Sequence, residues 1–192
     1  LFLISAQEGS LPPTIRSRCR LTRMGALSED DCLTAINYVR PDIDQEKLCV
    51  LGRVSQGAPG QALKLLDSGA IEFYEQVCSI LHTSQIDAVE LASLCSKWGR
   101  GTAANRETRA GAVFCLDRLL RYTALRAAGL QPDNLCGFET SITEVLAKRH
   151  SALKLASFHS EFILEATRAE RLHLDFSRFI EQYLTKIYQK TL

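Results

Sequence analysis

Arg16, Arg18, Arg20 and Arg23 cluster around Ser17 and Cys19, directly behind the proline pair Pro12-Pro13. A guanidinium is protonated at every working pH and presents a planar fork of donors that matches carboxylate and phosphate oxygens. Such a run is suited to meeting anionic oxygens on another molecule. On residue chemistry alone, Arg18 reads as a solvated arginine on a surface turn near other basic residues. Arg16, Arg20 and Arg23 either face phosphates or a neighbouring chain, or form a solvated basic face.

Other reactive groupings are missing from the sequence. No G-x-x-x-x-G-K-[ST] phosphate loop occurs, and Gly57-Ala58-Pro59-Gly60 is not followed by Lys-Ser/Thr. His82, His150, His159 and His173 are scattered and belong to no H-E-x-x-H, so they read as surface or hydrogen-bonded residues and give no zinc hydrolase. There is no G-x-S-x-G. The seven cysteines are odd in number and form no C-x-x-C, which excludes a zinc framework and fits a reducing compartment, the cytosol. Nothing reads as a self-contained active site, and no metal is expected.

The elements that position these residues read as follows. The chain has 192 residues, 46% hydrophobic and 23% charged, with a net charge of +1. These values fit one or two globular domains with a real core and exclude a strongly basic nucleic-acid binder. No apolar run approaches the ~20 residues of a membrane span, and Leu1-Phe2-Leu3-Ile4 is too short for a secretory h-region. That run instead reads as a strand of a parallel sheet ending at Ser5. No further strand follows it, so its partners are expected upstream and the chain is expected to be the C-terminal part of a longer protein.

From there the pattern is helical. Residues 27–68 read as three short helices, with Ser28 and Asp44 as N-caps, Pro41 closing the first helix, Pro59 in the first turn of the third and Gly69 after it. Longer helices follow over 71–82, from Ser84 to Trp98-Gly99-Arg100-Gly101, and over 106–128 up to Gly129. Ser141 and Glu144 read as a capping box, with a break near His150. A last helix after Asp175 carries Phe176, Phe179, Ile180, Tyr183, Leu184, Ile187 and Tyr188 on one wide stripe. The expected fold is mainly α: a three-helix unit, then a helical bundle, behind a short strand.

Leu11-Pro12-Pro13-Thr14-Ile15-Arg16-Ser17-Arg18-Cys19, following a strand that ends in a hydroxyl residue, resembles the end of the AAA+ core of clamp-loader ATPase subunits. Gln56-Gly57-Ala58-Pro59-Gly60-Gln61-Ala62-Leu63 is similar to the sensor 2 segment that opens the third helix of their lid domain. The resemblance spans nearly the whole chain, but specific motifs lie only in residues 1–20 and 56–67. It implies a core tail over 1–25, a three-helix lid over 26–69 and a collar that joins subunits into a ring over 70–192.

It also implies roles. Arg18 would be an arginine finger for ATP-Mg bound on a neighbouring subunit, where such a group is worth roughly 10³–10⁵ in rate, with Ser17 and Cys19 setting the turn that aims it. Ser5 stands at the sensor 1 position, or else simply ends the strand. Gly60 stands where hydrolysing subunits usually carry the sensor 2 arginine, so this chain resembles a non-hydrolysing member more than a motor. The zinc-binding cysteines of the family lie earlier in the core. The implied partners are the tau/gamma motor and delta subunits and, through the assembly, the sliding clamp and primer-template DNA. The terminal aromatic stripe would pack both within the subunit and between subunits. Two alternatives stand beside this reading: an ATP-hydrolysing tau/gamma-like subunit, and a plain all-α interaction module.

Overall fold

The computed structural model describes residues 2–5, 9, 11–83, 87–99 and 105–188. Its elements are helices: α1 (Pro13–Arg16), α2 (Glu29–Val39), α3 (Gln45–Ser55), α4 (Pro59–Asp67), α5 (Ala70–His82), α6 (Ala88–Gly99), α7 (Asn105–Ala127), α8 (Gly137–Arg149), α9 (Ala152–Arg171) and α10 (Phe176–Tyr188). Among the described residues there is no strand.

The strand expected at Leu1–Ile4 is therefore corrected. Residues 2–5 have no regular structure, and Phe2 and Ile4 are 97% and 100% exposed. A strand is held by hydrogen bonds to a neighbouring strand, and the described residues offer none. Leu1 lies outside them.

Local chemistry explains most helix ends. The Ser28 hydroxyl accepts from the Asp31 N–H at 3.2 Å and the Asp44 carboxylate from the Lys47 N–H at 2.9 Å, so both caps satisfy first-turn donors as expected. Pro59 occupies the first turn of α4, and Gly69 and Gly129 take left-handed conformations after α4 and α7. The break near His150 is real, because His150 is extended and Ser151 caps α9. Asp175 accepts from the Ser177 and Arg178 N–H groups ahead of α10. Ser84, Ile86, Arg100 and Gly101 lie outside the described residues.

The capping box expected at Ser141/Glu144 lies instead five residues earlier, at Cys136/Glu139. α8 begins at Gly137, and the Glu139 carboxylate reaches back to the Cys136 N–H at 2.7 Å. Ser141 sits inside the helix and bonds the Phe138 carbonyl. Glu139 is the third residue of the helix, where a carboxylate meets the N-cap N–H.

Packing follows from apolar faces. α2, α3 and α4 pack on one another through Cys32, Ile36, Leu48, Leu51, Val54, Ala62 and Leu65. α4 then leans on α5 and α7. α7 runs through the centre of the bundle, touching α5, α6, α8 and α9, which is why its apolar residues do not form a single narrow stripe. At Gly111 it passes close to α5, where an added Cβ would lie 2.6 Å from the Ala70 Cβ. α10 buries Phe176, Ile180, Tyr183, Leu184 and Ile187 against α6 and α9. Phe162 of α9 meets Phe179 and Tyr183 of α10, with ring centroids 5.7 and 5.2 Å away. The expected aromatic stripe is thus core of this chain.

Candidate functional site

The Ser-Arg-Cys turn is built from its own backbone. Pro13 fills the first position of α1, where its missing N–H costs nothing. The N–H groups of Ile15 and Arg16 donate to the Pro12 carbonyl, and those of Arg18 and Cys19 to the carbonyls of Ile15 and Arg16, at 3.1 and 3.3 Å. The Ser17 hydroxyl donates to the Thr14 carbonyl at 3.3 Å. Ser17 therefore tightens the turn. α1 buries no residue. Arg16, Arg18, Cys19 and Arg20 are all exposed, and the Arg18 guanidinium makes no hydrogen bond or ion pair among the described residues. Ser5 is exposed in the preceding irregular stretch.

The second expected segment opens α4. Gln56 and Gly57 have φ of 56° and 78°. The Gly57 carbonyl accepts from the Leu27 N–H at 2.9 Å, and a Cβ on Gly57 would collide with the Leu27 carbonyl oxygen. Only glycine fits this left-handed, backbone-to-backbone approach. Gly60 is different: it is exposed in the first turn of α4, and a Cβ there would meet nothing within 4 Å. The position has room for a long cation and supplies none. Arg53 bonds Glu29 at 3.1 Å, tying α3 to α2, and that hydrogen bond and charge hold the guanidinium above its ordinary value.

Residues 17–19 act as one local unit, whereas Gly60 belongs to another. The Leu27–Gly57 hydrogen bond links the chain leaving the Ser-Arg-Cys turn to the turn before α4. Beside that link a groove of about 610 Å³ separates Leu27, Arg53 and Gln56 from Tyr122, Leu130 and Asn134.

Beneath the groove lies an assembly the sequence did not reveal. Arg118 of α7 and Glu139 of α8 are both fully buried. Arg118 Nε donates to Glu139 Oε1 at 2.6 Å and Nη2 to Oε2 at 3.0 Å. Nη2 also reaches the Asn134 carbonyl at 2.6 Å, and Nη1 the Tyr122 hydroxyl at 3.1 Å. Glu139 accepts further from the Tyr74 hydroxyl at 2.6 Å and the Cys136 N–H. Burial opposes the Arg118 charge, but the Glu139 hydrogen bond and carboxylate outweigh it and hold its pKa up. Burial pushes Tyr74 well up, with Cys78 and Glu139 adding to it, so the phenol stays a donor.

The seven cysteines are unpaired. Burial pushes Cys78 and Cys115 well up and Cys95 and Cys136 to about 12. These four stay thiols, and a thiol is neither a nucleophile nor a good metal ligand. Among the described residues no group of three or more His, Cys, Asp or Glu is placed to hold a metal, and no helix is long and apolar enough to cross a membrane. The Ser17-Arg18-Cys19 turn is exposed and closed by its own backbone and the Ser17 hydroxyl. No family model, curated protein or solved structure matches the chain.

Proposed function

We propose that this chain is the tail of the AAA+ core, the lid and the collar of a non-hydrolysing clamp-loader subunit, of the delta prime type found in bacterial DNA polymerase III. In that reading it works in the cytosol beside tau/gamma motor and delta subunits. Arg18 reaches the ATP-Mg of a motor neighbour and stabilises the charge that spreads over the transferring phosphoryl group. Turnover there couples to placing the sliding clamp on primer-template DNA. Ser17 closes the turn that carries the finger, and Cys19 ends it. The chain holds no complete active site of its own in this scheme.

The observation that carries the reading is Arg18 itself: exposed, on a turn closed by its own backbone, with no partner among the described residues. Three further points support it. The helices α2, α3 and α4 pack as a unit ahead of the bundle. Gly60 brings no charge to the opening of α4, which favours this reading over a tau/gamma-like motor. The Thr-Ile-Arg-Ser-Arg-Cys and Gly-x-Pro-Gly forms are also closer to delta prime than to the motor.

The test is reconstitution of the full-length subunit with motor subunits, delta, clamp and primed DNA. Arg18→Ala is expected to remove DNA-stimulated ATP turnover at the adjoining site, by about 10³-fold or more, with assembly unchanged on gel filtration. Arg18→Lys keeps the charge but loses the fork and is expected to recover only part. Wild-type turnover in Arg18→Ala would overturn the assignment and leave the plain interaction module.

A further inference from the structure

A groove of about 610 Å³ lies between the α2–α4 unit and the bundle, within the size range of small-molecule sites. Leu27 and Arg53 stand on one wall, Tyr122 and Leu130 on the other. Leu27 and Leu130 are 42% and 56% exposed, so both walls leave apolar surface bare, and Leu125 and Pro132 extend it. Covering that surface favours a ligand with an apolar body.

The polar groups decide its head. The Tyr122 oxygen accepts from Arg118 Nη1 at 3.1 Å, and its own hydrogen meets no acceptor among the described residues. A hydroxyl that already accepts from a guanidinium donates more strongly, so Tyr122 calls for a carbonyl or another acceptor. Arg118 also holds the Asn134 carbonyl at 2.6 Å and is itself held by Glu139. This wall is therefore set before a ligand arrives. Asp133 is exposed, lines the groove and has no partner among the described residues, so it calls for an N–H and repels an anion. Arg53 and Glu29 match each other at 3.1 Å, and Arg121 lies 5.1 Å from the Tyr122 ring centroid, where it opposes a cation. A free donor, a free acceptor and balanced charges fit an uncharged head. The Gln56 and Asn134 carboxamides, without other partners among the described residues, supply either part.

We propose that this groove binds a small uncharged molecule with an apolar body and a carboxamide-type head, a carbonyl beside an N–H. The carbonyl accepts from the Tyr122 hydroxyl, the N–H donates to Asp133, and the apolar body lies between Leu27 and Leu130. This does not rest on the role given to Arg18, and either can fail alone.

Phenylbutanamide is the probe. It is compared with phenylbutyrate and phenylbutylamine, its charged twins, and with methyl phenylbutyrate, which keeps the carbonyl and has no N–H. Amide chemical shifts of the isotope-labelled full chain are followed in titration. Phenylbutanamide is expected to move Leu27, Tyr122 and Asn134 and to bind about tenfold more tightly than either charged twin, with the ester between them. Tyr122→Phe keeps the ring, loses the donor and is expected to weaken the amide about fivefold. Asp133→Ala is expected to weaken the amide and bring the carboxylate up to match it. Leu130→Asp is expected to abolish binding. Leu130 and Asp133 are exposed, so unchanged urea midpoints show that these variants fold. Four equal affinities, no shift in the groove at about 10 mM of any probe, or binding that survives Leu130→Asp overturns the proposal. Tighter binding by a blocked leucine-rich peptide also overturns it, in favour of a polypeptide segment.

Discussion

Arg118 and Arg18 carry the same guanidinium in opposite settings. Arg118 is sealed between α7 and α8, with each donor nitrogen aimed at a named acceptor. Arg18 sits on a turn whose hydrogen bonds are all local, and its donors face outward. Taking a charge out of water is costly unless its partner and remaining donors are satisfied inside. Arg118 meets that condition through Glu139, Tyr122 and the Asn134 carbonyl. It pins the start of α8 and the chain before it to α7, and Glu139 extends the tie to α5 through Tyr74. What the contrast teaches is that one arginine fixes the register of the bundle, whereas the other takes no part in holding it.

The sharpest way to break this comparison is to remove the buried acceptor. Glu139→Ala leaves Arg118 charged and unpaired and takes the acceptor from the Tyr74 hydroxyl and the Cys136 N–H. A loss of about 3–5 kcal/mol is expected in urea unfolding. Arg118→Met with Glu139→Leu removes both charges and is expected to cost less than the sum of the single changes, as for any directly coupled pair. A loss under about 1 kcal/mol for Glu139→Ala would mean that water reaches the pair.

A smaller effect separates two glycines of the α3–α4 turn. Gly57→Ala forces a Cβ into left-handed backbone against the Leu27 carbonyl and is expected to cost about 1–3 kcal/mol. Gly60→Ala enters open space in a helical turn and is expected to be neutral or to gain up to about 1 kcal/mol. Equal urea midpoints for the two variants would remove the Leu27–Gly57 link as a fixed point.

The same contrast explains what could be read in advance. Helix ends at Ser28, Asp44, Pro59 and Gly69 are set by short-range sterics and hydrogen bonds, so the sequence shows them directly. The Arg118–Glu139 pair depends on which helices lie side by side, and no local pattern encodes that. Arg118 lies about 60° outside the arc of Cys115, Leu116, Leu119 and Leu120 at about 100° per residue, so its place on the helix gave no signal either. Glu139 was hidden by a competing Ser141-x-x-Glu144 spacing. Leu1–Ile4 failed for another reason: four apolar residues state a preference for burial and do not supply the neighbour a strand requires. The turn at Ser17-Arg18-Cys19 was expected from the resemblance, and the structure builds it from the Pro12, Pro13, Ile15 and Arg16 carbonyls and the Ser17 hydroxyl.

A titration probes the joint between α8 and α10. The His150 ring is buried with Nε2 3.2 Å from the Ile187 carbonyl, so the neutral ring donates there. Burial, helped by Arg149 and Lys154, holds its pKa below the ordinary 6.5. The unfolded chain then takes up a proton near that value which the folded chain resists. Stability is intact above about 6.5 and falls as pH drops below it toward the folded value, by at most about 1.4 kcal/mol per pH unit for one proton. His150→Asn is expected to flatten that part of the profile. A variant profile parallel to wild type would place the acid sensitivity elsewhere.

The smallest expected change in stability is at Arg18, and its size decides which side of the comparison that residue belongs on. Its turn is closed by backbone groups and the Ser17 hydroxyl, none of which involves the guanidinium. Arg18→Ala is therefore expected to shift folding free energy by no more than about 0.5 kcal/mol, the ordinary range for a surface substitution. The urea midpoint and slope should match wild type. A loss above about 1 kcal/mol would place the guanidinium in contacts within its own chain, where it has no reach to a neighbour's phosphate. Arg18 would then belong with Arg118 as a group that holds the fold, and the proposed action in trans would fall with it.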